Sequence, residues 1–300
     1  MAKSGLVAEA WLEEMMRAQV AATKRAYAEW DDPHRLSQRL GLSVHETSIG
    51  LGREGAAWAQ AIYLDPAAGV PARRQFTFYH EICHHLLRRD DELFSILHDQ
   101  YETDTLLQTI SERLCNVGAA EFLLPQATVR AATLEHGFSI ALIEALSQPG
   151  RVSRVAACAQ LTFCAPHHCI AVVCHARGLT ATASRLPLAD AAPPLLPMTH
   201  PFGQANVRAQ RERVQIVCAF RSPQTKYACA AGTMLPPDHL LTSMIHKPHG
   251  EPVKAMAPIP FRRQTQWEVA CEAVRLGAQV FAFFHLDDPS PPTPGQMRLW

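Results

Sequence analysis

Two histidines and a glutamate at positions 80, 81 and 84 carry the strongest chemical signal in this chain of 300 residues. They stand in the run Arg74-Gln-Phe-Thr-Phe-Tyr-His80-Glu81-Ile-Cys-His84-His85-Leu-Leu. On a helix, residues four apart lie about 40° apart around the axis and about 6 Å along it. His80 and His84 can therefore aim two imidazoles at one tetrahedral ion. Glu81 is turned about 100° from His80. That is a poor position for a ligand, but it reaches a water on the ion and can take its proton. Phe76, Phe78, Ile82, Leu86 and Leu87 surround the motif with apolar side chains, and imidazoles buried among such residues need partners. His85 and Cys83 fall on other faces and are expected to pack rather than bind.

A catalytic ion needs a third protein ligand and one open position. The helix-compatible segment 102–124 offers Glu112 and Glu121, and Glu112 is the preferred ligand. Glu102, Asp104 and His98 are weaker candidates, because they lie near an expected loop. Zinc is the expected ion. Manganese stays open beside it, since ligand type alone does not fix the metal.

The elements that must hold these groups follow from the hydrophobic pattern. Residues 6–30 read as an amphipathic helix, and a short helix follows Pro33 and ends at Gly41. Val44–Leu51 and Trp58–Leu64 read as two strands. The second would be an edge strand, able to hold an extended substrate chain by strand addition. The metal helix spans Arg73–Arg89, and the carboxylate helix 102–124 is stopped by Pro125. Shorter helices are expected at Gln126–His136, Ile140–Leu146 and Val152–Leu161. After Thr162 come strand-like runs at Ile170–Cys174, Val214–Phe220, Tyr227–Met234 and Val280–His285, with a helix-like Trp267–Leu276. Leu186–Pro201 and the tail Asp288–Trp300 are proline-rich and read as loop.

Three stretches in order resemble the ImmA/IrrE metallopeptidases: Ala61-Ile-Tyr-Leu-Asp65, the segment Arg73 to His84, and Glu112-Arg-Leu-Cys-Asn116-Val-Gly-Ala-Ala-Glu-Phe-Leu-Leu-Pro125. The resemblance implies that Glu112 is the third ligand. Over the whole chain it implies an α+β multidomain protein. A mainly helical, zincin-like peptidase domain with a small sheet would occupy 1–124. A helix-turn-helix-like middle would occupy 125–162, and an α/β, GAF-like sensor domain 163–300. It further implies a protein substrate, a helix-turn-helix transcriptional repressor whose single cleavage releases radiation- and desiccation-response genes. Cys83 stands where the family has Gly, Leu114 replaces a Glu and Gly118 replaces a Phe. None of these removes a ligand.

The remaining features exclude more than they add. Lys plus Arg and Asp plus Glu each number 28, so the formal net charge is zero and no whole-chain attraction to nucleic acid is expected. Only Arg151 and Arg154 flank the turn of the middle segment, a weak DNA footprint, so direct DNA binding is not expected. Cys164, His167, His168, Cys169 and Cys174 do not have zinc-site spacing. His200, His239, His246 and His249 read as loop residues. No run approaches the about 18–20 apolar residues of a membrane span. The acidic N-terminal run does not read as a secretory signal, and the nine cysteines are odd in number. Together these predict a cytoplasmic protein with free thiols. A small-molecule signal at the C-terminal domain fits the resemblance, but no residue there identifies one. The rival to a protease is a non-enzymatic DNA-binding or ligand-sensing regulator whose metal is structural.

Overall fold

The computed structural model describes residues 3–50, 54–67, 70–101, 103–148, 150–177, 213–261 and 267–286. The proline-rich loop 186–201, the tail 288–300, Glu102 and His200 lie outside them. The chain is mixed α+β and forms two compact units. One is Met1–Phe138 with Leu142–Cys164, the other Ser139–Ala141 with Ala165–Trp300. Residues 125–162, read from the sequence as a middle domain, fall almost wholly within the first unit.

The first unit contains α1 (Lys3–Ala26), α2 (Pro33–Arg39), β1 (Ser43–Glu46), β2 (Gly55–Trp58), β3 (Ala61–Leu64), α3 (Pro71–Arg89), α4 (Asp91–Gln100), α5 (Asp104–Leu123), α6 (Gln126–His136), α7 (Leu142–Leu146) and α8 (Arg154–Phe163). Pro71 opens α3 at a position where its missing N–H costs nothing. Asp90 ends α3 and caps α4, its carboxylate accepting from the Leu93 N–H at 3.0 Å. Helix α4 has no counterpart in the sequence reading, although Asp90, Asp91 and Glu92 carry the acidic start signal. Thr103 caps α5, which stops just before Pro125.

Helices α3 and α5 pack closely. The Tyr79 ring stacks on Phe122 with centroids 4.9 Å apart, and the Tyr79 hydroxyl donates to the Trp30 carbonyl at 3.0 Å. Nearby, a Cβ on Gly118 would fall 2.6 Å from Cys83 Sγ and 2.6 Å from Met16 Cε. Cys83 thus fills the space that the absent side chain at 118 leaves, so the two departures from the family pattern touch each other. Gly118→Ala is expected to cost about 1–3 kcal/mol by overpacking. Adding Cys83→Ala should recover part of that loss, because the two sites are coupled by contact. Urea-unfolding midpoints of the single and double variants check this.

The small sheet has the order β1-β3-β2, with β3 parallel to β1 and antiparallel to β2. The single strand expected over Trp58–Leu64 is in fact two. Ala59 and Gln60 form a tight turn, with Ala59 at φ 49°. No Gly or Asn marks that turn, because alanine here adopts a conformation that non-glycine residues seldom take. The edge strand beside the metal helix is therefore β2, while Ala61–Leu64 is the central strand.

The second unit is built on a five-stranded antiparallel sheet of order β5-β4-β8-β7-β6. Its strands are β4 (Cys169–Arg177), β5 (Arg213–Arg221), β6 (Pro252–Pro258), β7 (Glu268–Leu276) and β8 (Gln279–His285), with a short α9 (Leu240–Ser243). One face packs Ile170, Val172, Ile216, Ala282 and Phe284 into a core. The helix expected over Trp267–Leu276 is strand β7. Its Ala, Glu and Leu content favours a helix, but pairing with β6 on one side and β8 on the other overrides propensity. The signal lay in Gly277-Ala278, a two-residue turn with Gly277 at φ 68° and Leu276 opposite Gln279. Strand β6, bounded by Pro252 and Pro258, also went unread; proline suits only an edge strand such as this. The strand expected over Tyr227–Met234 makes no ladder beyond a Gln215–Met234 bridge. His239, read as a loop residue, is buried and caps α9.

Candidate metal centre

The packing of α5 across α3 places one donor atom each from His80, His84 and Glu112 within 4.8 Å of one another. His80 Nε2 lies 3.1 Å from His84 Nε2 and 3.1 Å from Glu112 Oε2, and His84 Nε2 lies 3.5 Å from Glu112 Oε1. Ligands about 2.0–2.1 Å from a tetrahedral zinc ion stand about 3.3 Å apart. The three side chains therefore stand close enough to share one such ion. Two neutral imidazoles and a carboxylate suit zinc, and manganese accepts the same set.

The orientation of His80 is fixed from behind. Its Nδ1 lies 3.0 Å from Asn116 Oδ1, so the amide oxygen accepts the Nδ1 proton and turns Nε2 toward the other donors. Asn116 follows Glu112 by four residues and so shares its helix face, a spacing that marks it in the sequence. Asn116→Ala is expected to weaken metal binding about 10–100-fold. Competition with a chromogenic chelator measures this. Thermal stability should barely move, because Asn116 is exposed.

The electrostatics of the three donors are uneven. Burial opposes a charge on His80, but the hydrogen bond it donates to Glu112 and the charges of Glu81 and Glu112 raise its pKa on balance. Burial and the neighbouring His80 push His84 down to about 4. His84 is therefore uncharged near neutrality. Glu81 is not among the three donors. Burial pushes its carboxyl up to about 7, partly opposed by His80. A cation at the three donors would draw it back down. Glu81 also rests against the edge strand: a Cβ on Gly55 would meet Glu81 Oε1 at 2.7 Å and Thr77 Cγ2 at 2.6 Å.

The other candidates are elsewhere. Glu121 accepts from the Gln126 N–H at 3.2 Å, at the start of α6. Asp104 sits in the first turn of α5, and His98 packs on Phe94 with ring centroids 4.4 Å apart. His85 is buried and meets the Ala61 carbonyl. Arg154 pairs with Glu144 at 2.8 Å, and Arg151 lies 5.7 Å from the Trp30 ring centre. His167 Nε2 meets His285 Nδ1 at 2.7 Å. Burial pushes the Cys174 thiol up to about 12. Among the described residues His80, His84 and Glu112 are the one group placed to share an ion, and no helix is long and apolar enough to cross a membrane.

Residues 38–162 match the family model described as the IrrE N-terminal-like domain, Peptidase_M78. The chain is 30% identical over 227 residues to the radiation response metalloprotease IrrE of Deinococcus radiodurans, a match covering 75% of this chain and 63% of that protein. It is 41% identical over 110 residues to the protein of the same name from Deinococcus deserti, covering 36% of this chain and 38% of that one. The chain thus spans less than two thirds of the length of either relative. A solved structure of a Mycobacterium tuberculosis transcriptional regulator superposes with a TM-score of 0.51 at 14% identity, over 94% of this chain and 80% of that one. That likeness concerns the fold alone.

Proposed function

Because residues 38–162 match the IrrE N-terminal-like domain, we propose that this chain is a zinc-dependent endopeptidase of the ImmA/IrrE metallopeptidase family, with manganese as the alternative ion. Its substrate is a helix-turn-helix transcriptional repressor, and its cleavage induces a DNA-damage response to radiation or desiccation in the cytoplasm. The observation that carries this reading is the conjunction of three donors close enough to share an ion with a further carboxylate, Glu81, lying beside Gly55 of the sheet edge.

His80, His84 and Glu112 would hold the ion, which when bound polarises the scissile carbonyl and acidifies water. Strand β2 receives the substrate backbone as an added strand. Glu81 accepts the proton of the attacking water and delivers it to the leaving amine. Asn116 keeps His80 in the tautomer that presents Nε2. A structural metal site has no use for a general base, so Glu81 argues against the non-enzymatic regulator.

The functional division we propose is 1–124 for catalysis, 125–162 as a helix-turn-helix-like docking element and 163–300 as a GAF-like sensor for a small-molecule signal. Arg154 is engaged with Glu144, which favours protein docking over DNA binding at the middle element. Incubating the full chain with zinc and purified helix-turn-helix repressors, read on a gel, tests the reading. A single metal-dependent cut is expected. Intact repressors under every metal condition would overturn it.

A further inference from the structure

One cation near this centre, Arg88, acts on the Glu81 carboxyl through its charge without forming an ion pair with it. Arg88 lies one helical turn beyond His84 and two beyond His80, on the same side of α3. It is exposed and makes no ion pair among the described residues, whereas Arg73 and Arg74 at the other end of the helix are paired with Glu54 and Glu46. Its guanidinium instead reaches sideways to the Ala57 carbonyl of β2, 3.4 Å away.

The register of the sheet shows what that carbonyl is. The Asp65 N–H donates to the Glu54 carbonyl at 2.9 Å, and β2 and β3 are antiparallel. Hydrogen-bonded pairs alternate along such a ladder, so Ala56 and Trp58 bond inward to Tyr63 and Ala61. Gly55 and Ala57 then turn their N–H and C=O groups to the open edge. Arg88 therefore stands in the lane that an added strand would occupy. Gly55, beside Glu81, is two residues upstream, about 6.6 Å along the strand.

We propose that Arg88 is a specificity-determining residue that selects an Asp or Glu side chain in the substrate strand, about two residues from the one facing Gly55. This rests on the reading of β2 as the substrate strand's partner. A substrate side chain entering there meets a guanidinium whose fork matches a carboxylate. A basic residue in the last helical turn also complements the helix dipole. That role would show in stability and not in substrate choice.

The test uses the full zinc-loaded chain and fluorescent peptide pools with Asp, Asn or Lys fixed at successive positions. Hydrolysis is followed in the native sequence, and binding by anisotropy in the Glu81→Gln background. The Asp pool at one position should be favoured over the Asn pool by about tenfold or more. Arg88→Gln should remove that preference, and Arg88→Glu should shift it to Lys, with the metal still bound. Hydrolysis without charge preference, or with a preference that survives Arg88→Gln, overturns the role of Arg88 and leaves the protease reading standing. Charge-dependent binding without hydrolysis overturns the protease reading and leaves Arg88 standing. If neither appears, both fall.

Discussion

Glu81→Gln is expected to abolish peptide hydrolysis while leaving metal binding unchanged. The three donors grouped to share an ion are His80, His84 and Glu112, so an amide at position 81 removes none of them. Gln is nearly isosteric with Glu and keeps the contact with Gly55, where the space is already full. It cannot accept the proton of the attacking water. General-base catalysis contributes about 100- to 10,000-fold, and a loss of that order is expected in kcat. A metal-loaded variant that still turns over at the native rate would show that another group takes the proton.

The second large effect concerns the third ligand. Glu112→Ala should lower metal affinity by more than about 100-fold, beyond the range expected for residues that only orient a ligand. His80→Ala and His84→Ala should do the same, because three ligands and a water leave no spare. Glu121→Ala is the informative control. Its carboxylate is occupied at the start of α6, where it accepts from the Gln126 N–H. That variant should keep its metal and lose stability instead, by about 1.5–3 kcal/mol for the lost charge-assisted bond. Equilibrium dialysis against a metal buffer separates the two carboxylates. Normal metal content in Glu112→Ala with loss in Glu121→Ala would reverse the assignment.

How much of this was legible depends on which force sets each feature. The His80, Glu81 and His84 spacing is dictated by one helix, so a local pattern suffices to read it. Glu112 and Glu121 sit on one helix too, and spacing left both available. The packing of Tyr79 on Phe122 and Cys83 on Gly118, which sequence periodicity does not encode, brings Glu112 to the imidazoles. The carbonyl that Arg88 reaches is fixed by the register of β2 on β3, a pairing across a turn with no glycine. Strand β7 was misread because its residues prefer a helix in isolation, and only its neighbours on both sides make it a strand.

The bare backbone at Gly55 has one more consequence. Glu81 leans on the strand itself, with no side chain between as a cushion. An occupant that extends the sheet along β2 braces that strand over its whole length, and with it the carboxylate. An occupant cut back to the reacting bond would leave the brace out. Trimming a substrate at its far end should therefore slow the chemical step as well as loosen attachment, since remote contacts are spent on holding the reacting groups in place.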